Sequence, residues 1–152
     1  MSISDNELKA LIQKSCLCLD DGDWQGYMDL CAEDFTYQIT TYSPELRKDM
    51  VWLEQDNKGM ADLFNNLENH VTLQGRFLRH VNVASIERDN KNLARVVTTV
   101  LLMYTDLEGI SQIFAVGKYN DSLVTSGIRP LLKTREVRLD TRDLGGGTHF
   151  PI

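Results

Sequence analysis

The feature that most limits what this chain can fold into is Leu131–Asp140, taken with the three segments that precede it. It contains neither glycine nor proline and is long for a strand. Gly75–Glu87, Leu93–Thr105 and Ile110–Leu123 come before it. They are separated by the turn sequences Arg88-Asp89-Asn90-Lys91-Asn92, Asp106-Leu107-Glu108-Gly109 and Thr125-Ser126-Gly127. Four successive strand candidates joined by short turns read as an antiparallel meander.

The first half of the chain has a different period. Ser4 and Glu7 fit a capping box, and Leu8, Leu11, Ile12, Cys16 and Leu19 then recur on one helical face. Asp20-Asp21-Gly22-Asp23 stops that helix. Asp23 caps a shorter one whose buried side is Trp24, Tyr27, Met28 and Cys31. Phe35, Tyr37 and Ile39 alternate with polar residues, so Asp34–Tyr42 reads as a strand that Ser43-Pro44 ends. Glu45–Asp49 reads as a loop, and Met50–Leu53 as either a short strand or the start of a helix. Met60, Leu63, Phe64, Leu67 and Val71 mark a third helix over Asn57–His70. A helical half followed by a strand half predicts an α+β domain, with three N-terminal helices on one face of a curved, mixed or antiparallel sheet. The expected organisation is one domain over residues 1–152, with 141–152 as an extended tail.

The 152 residues suffice for a sizeable core. A net charge of −6 gives no basic surface for nucleic acid. No apolar run approaches the ~20 residues that span a membrane. Three cysteines (Cys16, Cys18 and Cys31) and no export signal point to reduced thiols in the cytoplasm.

Both faces of Leu93–Tyr104 are apolar: Leu93, Val97, Leu101 and Met103 on one, Ala94, Val96, Val100, Leu102 and Tyr104 on the other. A sheet with one wet face alternates apolar with polar. Three helices cover one face only, so the second face is expected against another chain; β-branched filler on an outer face is the plainer reading. Lys133, Arg135 and Arg138 crowd the last strand and need carboxylate partners, either in a ladder with Glu136 and Asp140 or at a subunit interface. In the tail, Phe150 and Ile152 follow Gly145-Gly146-Gly147. Apolar residues on a free end fray unless covered, and a groove on a neighbouring subunit is the expected cover. The candidate interface residues are therefore Tyr104, Arg135, Arg138, Phe150 and Ile152.

Catalytic signatures are sparse. There is no phosphate loop before a helix, no Gly-x-Ser-x-Gly elbow and no His-x-x-x-His pair, so no cofactor or metal site is expected in the chain. His70 suits a helix C-terminus and His149 lies in the tail. His80 is the histidine placed to reach a central pocket. A dyad with Asp20 or Asp21 is the one acid–base arrangement available, against the commoner structural role for such a histidine.

Five stretches carry a family likeness: Leu19-Asp20-Asp21-Gly22-Asp23-Trp24, Asp34-Phe35-Thr36-Tyr37, Arg79-His80-Val81-Asn82-Val83, Gly117-Lys118-Tyr119-Asn120-Asp121 and Lys133–Asp140. In this order the chain resembles the cone-shaped fold of nuclear transport factor 2 (NTF2-like). Within that superfamily it resembles the small (β) subunits of ring-hydroxylating, Rieske non-haem iron oxygenases. The short N-terminus, Ile128-Arg129-Pro130 and the glycine-bearing tail make it most similar to the compact small subunits of salicylate hydroxylase, terephthalate dioxygenase and methanesulfonate monooxygenase. The resemblance implies a large (α) subunit that carries a Rieske [2Fe–2S] cluster and a mononuclear iron. It also implies a non-catalytic role in assembly for this chain, and a β homotrimer within α3β3. The chain itself lacks the Cys-x-His and Cys-x-x-His pairs of a Rieske centre. The alternatives are a stand-alone SnoaL-type isomerase, dehydratase or cyclase that uses a pocket His/Asp, and a small-molecule binding module.

Overall fold

The computed structural model describes residues 2–67, 74–144 and 151–152. Helix α1 covers Asp5–Asp21, α2 Trp24–Asp29 and α3 Asn57–Asn65. The strands are β1 Cys31–Ser43, β2 Lys48–Asp56, β3 Arg76–Arg88, β4 Leu93–Thr105, β5 Ser111–Val124 and β6 Leu131–Leu139. This is the expected α+β arrangement, with the helices closing the concave side of one six-stranded, bent sheet.

The ends of α1 are fixed by short-range chemistry. Ser4 Oγ accepts from the Glu7 amide, and Glu7 Oε2 accepts from the Ser4 amide at 2.7 Å, which completes the capping box. At the other end Gly22 takes φ 70°, a left-handed conformation that disfavours side chains. Its amide donates to the Leu19 carbonyl, and that of Asp23 donates to Cys18. Asp23 then caps α2 by accepting from the Gly26 amide at 2.9 Å.

Several boundaries differ from the sequence expectation. Cys31 opens β1 rather than lying on α2, because β1 is held from its first residue by pairing with Leu132 of β6. Met50–Leu53 belongs to β2, which pairs antiparallel with β1. Glu45–Asp49 is not all loop. The chain reverses through Arg47 at φ 53°, and β2 already begins at Lys48. Helix α3 ends at Asn65, where the Asn66 amide satisfies the last carbonyls. Val71 and the proposed end of that helix at His70 lie outside the described residues.

The sheet order is β2-β1-β6-β5-β4-β3. The expected meander holds for β3 to β6, while β1 runs parallel to β6 and makes the sheet mixed. Lys133 is the extra residue of a bulge, since Ser122 faces Thr134 while Leu123 faces Leu132. That insertion shifts the phase of β6: Leu132, Arg135, Val137 and Leu139 all point into the core. Simple alternation, which groups Leu131 and Lys133 with Arg135, fails at this one residue.

The core is formed where α1, α2 and α3 meet the concave face. Leu8, Ile12, Tyr27 and Met60 from the helices pack on Phe35, Ile39, Leu102, Tyr119, Leu123 and Val137 from the sheet. Trp24 stacks on Phe64 with ring centroids 4.9 Å apart, and Tyr27 meets Phe64 edge-on. In β4 the inward set is Ala94, Val96, Thr98, Val100 and Leu102.

Candidate functional site: the cone interior

The cone formed by helices and bent sheet has a polar centre. Arg135 of β6 is fully buried, and Nε and Nη2 each donate at 2.9 Å to the two carboxylate oxygens of Asp121 on β5. Nη1 donates to Ser15 Oγ of α1, and the guanidinium lies 4.0 Å over the Tyr119 ring. Burial opposes the charge on Arg135, but the adjacent Asp121 carboxylate outweighs it and holds the guanidinium protonated well above its ordinary range. The side chain has no exposed surface. Arg135 is therefore a core residue, and its expected place at a subunit interface is corrected.

A second buried pair closes the mouth of the cone. The Schellman turn at Gly22 leaves Asp20 at the end of α1, facing β3. Arg79 Nη1 donates to Asp20 Oδ1 at 2.6 Å, and the Arg79 amide donates to Oδ2 at 3.3 Å. The two side chains are 2% and 6% exposed. Arg79 Nη2 donates to the Pro151 carbonyl at 3.0 Å. The Ile152 amide donates to the Tyr37 hydroxyl at 2.8 Å, and that hydroxyl donates back to an Ile152 oxygen at 3.4 Å. Burial pushes the Tyr37 phenol up to about 12. Ile152 is 1% exposed within its own chain, so the groove that covers it is intramolecular, which corrects the expectation of a neighbouring subunit. Phe150, His149 and Gly145–Gly147 lie outside the described residues.

A cavity of about 410 Å³ adjoins this seal, with Asp20, Asp21, Trp24, Phe77, Arg79 and Pro151 in its wall. His80 is not among its lining residues. It is exposed on the convex face, opposite to Arg79, beside Leu101, Lys118 and Asp140. The dyad with Asp20 or Asp21 is therefore not assembled: the strand turns Arg79 inward, and Arg79 takes the Asp20 carboxylate. The sequence carried a signal for this. Arg79 shares its parity with Phe77, Val81 and Val83, the apolar side of β3, whereas His80 shares with Asn82.

Tyr104 stands half-buried at the rim, its ring 5.0 Å from Phe77 and its hydroxyl accepting from the Gly75 amide. Arg138 lies on the convex face and pairs with Asp49 of β2 at 2.7 Å. Around it the convex face is apolar towards the β4–β5 end. Leu78, Ile113 and Val116 are 51%, 60% and 37% exposed, with Leu101 and Met103 between them. Among the described residues no three His, Cys, Asp or Glu side chains converge to hold a metal ion. None of the described helices is long and apolar enough to cross a membrane.

Residues 3–127 match the family model of the SnoaL-like domain. The chain is 33% identical over 136 residues to the β subunit of 2-aminobenzenesulfonate 2,3-dioxygenase of Alcaligenes sp., covering 88% of this chain and 89% of that one. It is 31% identical over 150 residues to the β subunit of the methanesulfonate monooxygenase hydroxylase of Methylosulfonomonas methylovora, covering 93% and 83%. Among solved structures, the β subunit of benzoate 1,2-dioxygenase from Burkholderia mallei superposes with a TM-score of 0.79 at 13% identity, over 99% of both chains. At that identity the structural match establishes the cone fold alone.

Proposed function

Because the chain belongs to the SnoaL-like family, and stands there with the β subunits of multicomponent oxygenases, we propose that it builds the oxygenase rather than performs its chemistry. In this reading it forms a β homotrimer within α3β3. The large subunit carries the Rieske cluster and the mononuclear iron, and the complex works in the cytoplasm. The residues of this chain do not fit those groups: the described donors do not converge, and the buried carboxylates are already committed to Arg79 and Arg135. What the chain contributes is a rigid, shaped surface.

The observation that carries the reading is the convex face. Leu78, Leu101, Met103, Ile113 and Val116 form a contiguous apolar surface on a sheet whose other side is already filled. Exposed contiguous apolar patches mark interaction sites. A three-fold ring needs a head-to-tail contact, in which this face meets a different surface of the next copy. Arg138, with its Asp49 partner, and Tyr104 at the rim flank the proposed contact. Both curated relatives are named for sulfonates, so a sulfonate is the substrate class proposed for the assembled enzyme.

The test is co-expression with the large subunit, followed by light scattering and turnover. The parent should form a particle of α3β3 mass. Ile113→Asp places a carboxylate in the apolar face without touching the core, and should shift the mass towards smaller species and lower turnover in parallel. A variant that assembles and turns over like the parent would remove the convex face from the interface.

A further inference from the structure

The strongest feature that assembly does not use is the fit of Pro151–Ile152 into the mouth of the cone. The contacts are directed at the peptide backbone. Arg79 addresses the Pro151 carbonyl, and the Tyr37 hydroxyl addresses both the amide and an oxygen of Ile152. The Ile152 side chain is enclosed. We propose that the cone mouth is a peptide-binding site whose resident ligand is this chain's own Pro151–Ile152, a removable seal that an external apolar dipeptide can replace.

Three observations support exchange rather than permanent core packing. The recognition is modular: one guanidinium and one phenol read the two ends of the Pro151–Ile152 peptide group, and the phenol also reads the Ile152 oxygen, as they would read the same groups in a separate molecule. The guanidinium has a second anchor in Asp20 that does not involve Pro151, which would hold the site in place once emptied. Pro151 also forms part of the wall of the 410 Å³ cavity, which gives the occupant a way out on that side and gives a replacement room to enter. Among the described residues the buried Arg79 Nε has no hydrogen-bond partner, a further donor available to an incoming oxygen. Attachment to the chain keeps the resident segment at an effective concentration on the order of millimolar. An external dipeptide therefore competes only after the resident anchor is weakened.

The experiment uses the full chain with Ile152→Asp, which sets a carboxylate in the apolar slot and expels the seal. The reporter is Cys16, buried on the inward face of α1 within electrostatic reach of Arg79 and Arg135; Cys31, buried at the start of β1, is the control. Alkylation rates at each thiol are followed by peptide mass spectrometry, with circular dichroism to establish folding. Cys16 should react at least tenfold faster in the variant, with Cys31 unchanged. Millimolar N-acetyl-Pro-Ile should slow Cys16 again at least threefold and saturably, with no effect on the parent chain. Adding Tyr37→Phe should abolish that protection. An unchanged Cys16 rate overturns the seal, as does equal acceleration at Cys31, which signals general loosening. Acceleration without protection by the dipeptide overturns the binding site. If Ile152→Asp does not fold, Ile152→Ala carries the same readouts, and a Cys16 rate equal to the parent's there overturns the proposal.

Discussion

Asp121→Leu is the most demanding perturbation of this fold, because it leaves Arg135 without its counter-charge in a fully buried site. Arg135 and Asp121 are both 0% exposed, and Asp121 accepts two of the hydrogen bonds that the guanidinium makes. Removing one partner of such a pair costs about 3–5 kcal/mol. For a chain of this size ~1 kcal/mol moves Tm by roughly 2–4 °C, so the single variant should melt on the order of 10 °C lower. Replacing both partners, Asp121→Leu with Arg135→Met, removes the uncompensated charge and should recover most of the loss, since apolar replacements of buried pairs are often neutral. Ser15 keeps its own bond to the Ile12 carbonyl in that background. Urea unfolding of both single variants and the double variant gives the coupling directly, provided that the m-value is constant. The reasoning is refuted if Asp121→Leu costs under about 1 kcal/mol, or if the double variant loses as much as the two singles together.

Two other outcomes are expected. Gly117 of β5 has no space for a side chain, since an added Cβ would sit 2.2 Å from the Arg138 carbonyl oxygen; Gly117→Ala should lower stability by about 1–3 kcal/mol, read by urea midpoint, and an unchanged midpoint contradicts the packing. Burial raises the Cys31 thiol from 9.0 to about 12, so the unfolded chain loses this proton first and the stabilisation present below pH 9 is lost as pH rises towards 12; Cys31→Ala should flatten that alkaline decline in Tm, and an identical decline in the variant refutes the assignment.

The parts of this fold legible in sequence are those set by local chemistry. The Ser4–Glu7 box, the Gly22 stop and the turns between β3, β4, β5 and β6 fall where their residues demand. The convex apolar face was legible too, because Leu101 and Met103 break the alternation of a half-wet strand. What stayed hidden is non-local. No periodicity announces that β1 pairs with β6 rather than with β3, since pairing partners are chosen by packing across the whole chain. Lys133 gives no sign that it is bulged, and that residue decides which side chains of β6 face inward. The polar centre was half visible: Arg79 and Arg135 each lie in phase with apolar neighbours, the pattern of a charge that must be paired inside. Asp121 sits opposite Arg135 on the preceding strand of the meander, but the bulge at Lys133 hides that register; Asp20 comes from an element far from Arg79 in sequence, which spacing cannot reveal.

The sheet order has a consequence for how the protein comes off the ribosome. The strand made last, β6, is not an edge but fills the gap between β1 and β5. Until it emerges, two hydrogen-bonding edges stand open and the cavity meant for Arg135 holds Asp121 alone. Open edges pair with whatever strand is nearest, and synthesis proceeds at only about 5–20 residues per second. The nascent chain therefore spends its riskiest seconds as two incomplete half-sheets, and its solubility in the cell depends on how quickly one late segment slides between them.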